Sequence, residues 1–190
     1  MSVTRRLLAE MHPDDIREHL DPPSTVPPLY RLFFLYIEPI SALVGAFYAH
    51  FDPGAYLHLT HAASFPTSTL APPAGTTAVL SQLANLYLLF ALNEALVLRS
   101  TNDLRVWRTL LLGLLIADLG HLWSMRGTGT FWQVYVAFWE WNEMAWGNVA
   151  FVYVGAAARA CFLAGVGPGL GKAWRRRRSD LSDSQLTGRR

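Results

Sequence analysis

Four carboxylates stand inside long apolar stretches of this sequence: Glu38 directly before Pro39, Glu94 after Asn93, Asp118 three residues ahead of His121, and Glu143 within Glu140-Trp-Asn-Glu-Met-Ala-Trp146. A carboxylic acid kept protonated by low dielectric can deliver its proton to an alkene or epoxide, while a neighbouring base removes one elsewhere. Trp, Tyr and Phe faces stabilise the intervening carbocation without capturing it as a nucleophile would. Glu38, Asp118, His121 and Glu143 are therefore the candidate acid–base residues. Asp118 and His121, at i,i+3 spacing, can hydrogen-bond to each other on one helical face.

The candidate ligand-lining residues are Tyr48, Asn85, Asn93, Glu94, Trp139, Trp141, Asn142, Trp146, Asn148 and Tyr153. Helical spacing puts Glu38, Ser41, Gly45 and Tyr48 on one stripe, Gln82, Asn85 and Asn93 on a second, and Glu143, Trp146, Ala150 and Tyr153 on a third. The sequence has no nucleotide loop, zinc spacing or Gly-x-Ser-x-Gly elbow, so neither a cofactor nor a metal is assigned. His50, His58 and His61 fit no ligand pattern and read as surface residues.

These side chains need elements to hold them, and the composition points to lipid as the solvent. Of 190 residues, 52% are hydrophobic and only 16% charged, where soluble domains carry about a quarter charged. One cysteine, Cys161, excludes an internal disulfide. Crossing a ~30 Å hydrocarbon core takes roughly 20 apolar residues in helical form. Four stretches qualify, at about residues 29–51, 78–98, 106–125 and 141–163, the last with a blurred start because 131–139 is also largely aromatic and aliphatic. The predicted fold is all-α: a polytopic membrane protein forming a four-transmembrane-helix bundle over residues 29–166. It lies between a cytoplasmic N-terminal segment, 1–28, and a basic disordered cytoplasmic tail, 167–190.

The placement of basic residues sets the orientation. Arg5, Arg6, Arg17 and Arg31 precede or open the first span, the loop 52–77 has no Lys or Arg, and Arg99, Arg105 and Arg108 lie between spans two and three. Arg126 alone sits between spans three and four, while Arg159, Lys172, Arg175 to Arg178, Arg189 and Arg190 close the chain. The positive-inside rule then puts both termini in the cytoplasm. The Pro- and Gly-rich loop 52–77 reads as mostly irregular. Trp132, Tyr135, Trp139, Trp141 and Trp146 have the composition of an interfacial aromatic belt. The tract Trp174 to Arg178 reads as a solvated tail drawn to anionic lipid head groups. Membrane lipids are thus the expected partners, a hydrophobic small molecule is a candidate, and no nucleic-acid partner is assigned. The oligomeric state is left open.

An ionisable side chain at mid-bilayer costs about 2.5–3.5 kcal/mol on insertion scales, so these acids should turn inward and pair. Counting along each helix clusters Asp118, His121, Glu143 and Trp146 in the outer half, with Glu38 near mid-depth. Glu94 falls one turn from the cytoplasmic end, within reach of Arg99 and Arg105.

The segments Tyr30 to Pro39, Asn93-Glu94-Ala, Ala117-Asp118-Leu-Gly-His121 and Trp141-Asn142-Glu143-Met-Ala-Trp146-Gly-Asn148 resemble a family of small, uncharacterised fungal four-span membrane proteins. The resemblance covers about Leu29 to Gly167 and implies the topology. In general layout the chain is also similar to the emopamil-binding-protein (EXPERA) group, which includes sterol isomerases and ligand-binding relatives. That likeness implies a lipidic pocket lined by acids and carries over no residue. Three readings stay open: a cofactor-independent isomerase or cyclase of a sterol- or terpenoid-like molecule, a non-catalytic scaffold or lipid-binding accessory protein, and a proton-coupled carrier. An endoplasmic-reticulum membrane is the expected location.

Overall fold

A computed structural model describes residues 26–65, 71–168 and 170–171. The segment assigned to 1–28 and the tail assigned to 167–190, with Trp174 to Arg178, lie almost wholly outside the described residues. Four helices are long and apolar enough to cross a membrane: α1 (Pro28–Phe51), α3 (Ala74–Leu98), α4 (Leu104–Gly127) and α6 (Glu143–Leu163). The shortest has 21 residues, or about 32 Å at 1.5 Å per residue, enough for a ~30 Å core. The described residues contain no strand. The protein is an integral multi-pass helical membrane protein.

Two shorter helices cap one end of the bundle: α2 (Pro53–Thr60) and α5 (Phe131–Tyr135). The opposite end carries the α3–α4 connection, and Tyr30 at the start of α1 donates from its hydroxyl to the Val166 carbonyl just past α6, at 2.8 Å. The chain therefore enters and leaves the bundle at that same end.

Within loop 52–77, α2 occupies the first third. Asp52-Pro53 stops α1 and at once starts a new helix. The Asp52 carboxylate accepts from the Ala55 N–H at 3.0 Å, and Pro53, with φ preset and no N–H to lose, occupies the first helical position. The aromatic stretch 131–139 likewise stays out of the fourth span. It forms α5, opened by a Thr130–Gln133 capping box, followed by a single 3₁₀ turn at Phe138–Glu140. Phe131, Trp132, Phe138 and Trp139 remain largely exposed there, as residues at a membrane interface are.

The bundle is built from two pairs. In the first, α1 packs along α3, and Gly45 permits the approach: a Cβ there would stand 3.3 Å from the Tyr87 ring. In the second, α4 packs along α6. At the connection end the pairs share a core of Phe34, Leu35, Leu98, Leu104, Trp107, Leu111, Leu114 and Phe162, drawn from all four spans. At the other end α2 bridges them, since Asn142 at the start of α6 donates to the Leu59 carbonyl at 2.8 Å. Between these two closures the pairs stand apart.

Three of the four spans contain a widened π-helical turn: Phe33–Ile37, Asn93–Leu98 and Trp146–Ala150. Such turns leave backbone groups outside the regular ladder and recur at functional sites. The first precedes Glu38-Pro39, where the Glu38 N–H reaches back to the Phe33 carbonyl and the missing N–H of Pro39 is accommodated without breaking α1.

Candidate functional site

Arg159, four residues before the end of α6, is the centre of the bundle's polar interior. Its side chain is 3% exposed and holds three carboxylates, one from each of the other spans. Nη2 donates to Glu38 Oε1 of α1 at 2.6 Å and to Glu94 Oε1 of α3 at 3.0 Å, while Nη1 donates to Asp118 Oδ2 of α4 at 2.7 Å. The Phe34 ring lies beneath the guanidinium, 5.6 Å from ring centre to Cζ. The planar fork of arginine suits this task, because one cation can face several acceptors at fixed angles.

The helix directions explain how side chains from different levels meet. Glu94 and Arg159 each lie about a turn from the end of their helices, while Glu38 and Asp118 lie nearer the middle of theirs. Cα–Cβ bonds tilt toward a helix's own N-terminus. Since α1 and α4 run away from the connection end and α3 and α6 run back, the first two acids lean toward that end and Glu94 and Arg159 lean away from it. Gly155, one turn before Arg159, leaves the space: a Cβ there would stand 2.8 Å from Arg159 Nη1 and 3.1 Å from Glu38 Oε1.

Three carboxylates against one guanidinium leave the cluster with two negative charges in excess if every acid is ionised. Glu38 Oε2, Glu94 Oε2 and Arg159 Nε are buried without a hydrogen-bond partner. This polar knot forms one wall of a cavity of about 920 Å³ between the two helix pairs. Glu38, Ser41, Gly45 and Tyr48 line it as a single stripe of α1, and Leu59 and Tyr56 of α2 close its far end. Its remaining surface is mainly apolar and aromatic, with Phe90, Leu114, Met144, Trp146 and Phe151. The Tyr56 and Tyr87 hydroxyls meet at 3.1 Å, and burial pushes the Tyr56 hydroxyl above the ordinary phenol range.

The predicted site residues divide on this geometry. Glu38, Tyr48, Glu94, Asp118, His121, Glu143, Trp146 and Asn148 line the cavity. Asn85, Asn93, Trp139, Trp141, Asn142 and Tyr153 do not. Asn85 is exposed on the outer face of α3, Trp139 is 61% exposed, and Tyr153 donates to the Tyr135 carbonyl at 3.1 Å. Trp141 donates to the Gln133 carbonyl at 2.9 Å, and Asn142 caps α6 while clasping Leu59. These two fasten the elements around the cavity.

Three sequence expectations about pairing are corrected. Asp118 and His121 do not bond to each other: Asp118 turns to Arg159, and His121 Nε2 meets the Asn148 carbonyl at 3.0 Å. That carbonyl lies in the π-turn Trp146–Ala150, where the widened ladder makes it available. Glu94 pairs with Arg159 instead of Arg99 or Arg105, and Arg99 stacks over the Tyr36 ring at 4.9 Å. Asp118 joins Glu38 and Glu94 instead of clustering with Glu143, which is exposed at the start of α6.

Sequence reasoning missed Arg159 by counting it among the bases flanking the last span. The signal was present: three acids at bilayer depth require a cation, and Arg159 falls inside 141–163, four residues after a glycine. Among the described residues no group of three His, Cys, Asp or Glu is placed to hold a metal ion; His58 faces the Phe65 carbonyl and His61 the Ser64 hydroxyl.

Residues 23–168 match the family described as Domain of unknown function (DUF7704), and the chain belongs to that family. No curated protein and no solved structure matches the chain.

Proposed function

We propose that this member of the DUF7704 family takes a hydrophobic molecule of sterol or terpenoid size from the bilayer into the cavity between its helix pairs and shifts a proton on it. The observation that carries the reading is the cavity of about 920 Å³, with apolar walls and a carboxylate cluster on one side. Ligand sites have this form: a mostly apolar cleft of roughly 300–1,000 Å³ with a few convergent polar groups. A packing device needs no such space.

The residues divide the proposed work. Asp118 or Glu38, held on one guanidinium at the cavity wall, donates a proton to a carbon–carbon double bond. The carbocation faces Tyr48, Tyr87, Phe90, Trp146 and Phe151, and a second acid of the cluster or His121 removes a proton from the adjacent carbon. The double bond has then moved, and no cofactor is consumed. Arg159 keeps the acids within one site and is a positioning residue.

The test uses dehydroergosterol, a fluorescent sterol, with full-length protein in neutral detergent. Saturable energy transfer from the tryptophans is expected, weakened at least tenfold by Ala117→Trp, which fills the cavity from α4. Transfer that does not saturate, or that Ala117→Trp leaves unchanged, overturns the reading. Chromatography of the recovered sterol then looks for a moved double bond, expected to disappear in Asp118→Asn.

A second reading is a non-catalytic scaffold. It is favoured by the convergence of all four spans on Arg159, which would also hold helices together. On that reading Asp118→Asn lowers the melting temperature and alters neither binding nor any sterol. The cytoplasmic orientation of both termini, supported by Arg99, Arg105 and Arg108 on the α3–α4 side, and residence in the endoplasmic reticulum belong to this proposal as well.

A further inference from the structure

The two ends of the cavity differ in chemistry. The end away from the acids narrows the class of molecule that fits, on the premise that the cavity binds a ligand at all. We propose that this far end seats a hydroxyl group. The preferred occupant is then an uncharged alcohol, its oxygen beside His121 and the Asn148 side chain and its apolar body directed toward Glu38.

Four neutral polar side chains from four helices converge there: Tyr56 of α2, Tyr87 of α3, His121 of α4 and Asn148 of α6. The Tyr56 hydroxyl links two of the others, meeting the Tyr87 hydroxyl at 3.1 Å and interacting with the Asn148 amide. This chain has a donor left over whichever way its protons run. If Tyr87 donates to Tyr56 and Tyr56 to Asn148 Oδ1, the Asn148 N–H groups are spare. If Asn148 donates to Tyr56 and Tyr56 to Tyr87, the Tyr87 O–H is spare.

His121 supplies the complementary acceptor. Its Nε2 meets the Asn148 carbonyl at 3.0 Å, and a carbonyl only accepts. The ring proton therefore sits on Nε2, and Nδ1 keeps a lone pair. Among the described residues, the buried side-chain atoms sealed without a partner belong to Glu38, Glu94 and Arg159, all at the other end. Nδ1 of His121 is not one of them, so it opens on the cavity that the ring lines.

A hydroxyl answers both spare groups, because it accepts one hydrogen bond and donates another. A ketone leaves the imidazole lone pair unanswered, and a hydrocarbon leaves donor and acceptor alike. Sites built to hydrogen-bond a hydroxyl reject the analogue that lacks it, since their own polar groups are then stranded. Tyr87 and Glu94 stand seven residues apart on α3, about 10 Å along the axis, so one elongated molecule spans both ends. On this assignment His121 holds the oxygen, and proton removal in the proposed reaction falls to a second acid of the cluster.

The experiment compares farnesol with farnesene, matched in body and differing by the hydroxyl, on full-length protein in neutral detergent micelles by thermal shift. Farnesol is expected to bind at least tenfold more tightly. His121→Phe, which keeps a flat ring without its nitrogens, should cut that preference at least fivefold. Where His121→Phe does not fold, Tyr87→Phe carries the same expectation. Ala117→Trp should abolish stabilisation by both probes. Equal binding of the two probes, or a preference that persists in the folded Phe variant, overturns the inference and leaves the cavity reading intact. Failure of both probes while dehydroergosterol still binds overturns this inference alone. Failure of dehydroergosterol as well removes the cavity reading with it.

Discussion

Arg159 makes three charge-assisted hydrogen bonds inside the bundle, so its loss leaves the buried Glu94 carboxylate and the part-buried Glu38 and Asp118 without their cation. Breaking a buried ion pair by removing one partner costs about 3–5 kcal/mol. Arg159→Leu is accordingly expected to yield little folded protein, measured as the monodisperse fraction on size exclusion in detergent. Arg159→Lys should not restore it, because a single ammonium cannot reproduce the fork that reaches Glu38 and Glu94 from one nitrogen and Asp118 from the other. Gly155 offers a milder probe of the same knot. A methyl group there enters space held by Arg159 Nη1 and Glu38 Oε1, so Gly155→Ala should lower stability by about 1–3 kcal/mol, read as a fall in melting temperature. An unchanged melting temperature would mean that the cluster can relax around the added carbon.

At the scale of elements, the informative one is α2, the short helix over the far end of the cavity. It depends on the Asp52 cap, and Asp52→Ala should cost about 0.5–2 kcal/mol. Its clasp to α6 is the Asn142–Leu59 bond, on a residue that also caps α6. Asn142→Ala should therefore loosen the cavity's far end more than the shared core at the other. Hydrogen exchange would register this as faster exchange over 53–60 and 143–147, with protection over 107–114 retained. Uniform acceleration of all these segments would instead place both ends in a single cooperative unit. The three π-turns act at this scale too, since each adjoins a group the site uses: Glu38, Glu94, and the Asn148 carbonyl that meets His121.

For the whole molecule, two helix pairs closed at both ends and parted in the middle make a vessel open to lipid between the pairs. The described chain enters and leaves at the end that carries the α3–α4 connection, so a single labelling experiment fixes the orientation. With Cys161→Ser as background, Ser100→Cys and Ala63→Cys lie at opposite ends. A membrane-impermeant maleimide is expected to label position 63 from the non-cytoplasmic side and position 100 only after permeabilisation. The reverse pattern would invert the orientation inferred from Arg99, Arg105 and Arg108.

The sequence alone determined the solvent, the number of crossings and nearly all their limits. Hydrocarbon demands long unbroken helices, and that demand is written locally in runs of apolar residues at 29–51, 78–98, 106–125 and 141–163. It also put Glu38, Ser41, Gly45 and Tyr48 on one stripe, because helical period alone decides which residues share a face. It marked Glu38, Glu94 and Asp118 as acids in need of partners. Only the tertiary structure decided who the partners are. Arg159 is 41 residues from Asp118, 65 from Glu94 and 121 from Glu38, and no local pattern encodes which helices become neighbours or how far a guanidinium reaches back along its own helix. The cavity is equally a tertiary fact: it exists because α1 closes on α3 and α4 on α6, leaving unfilled volume between pairs that every span, read singly, would appear able to cover.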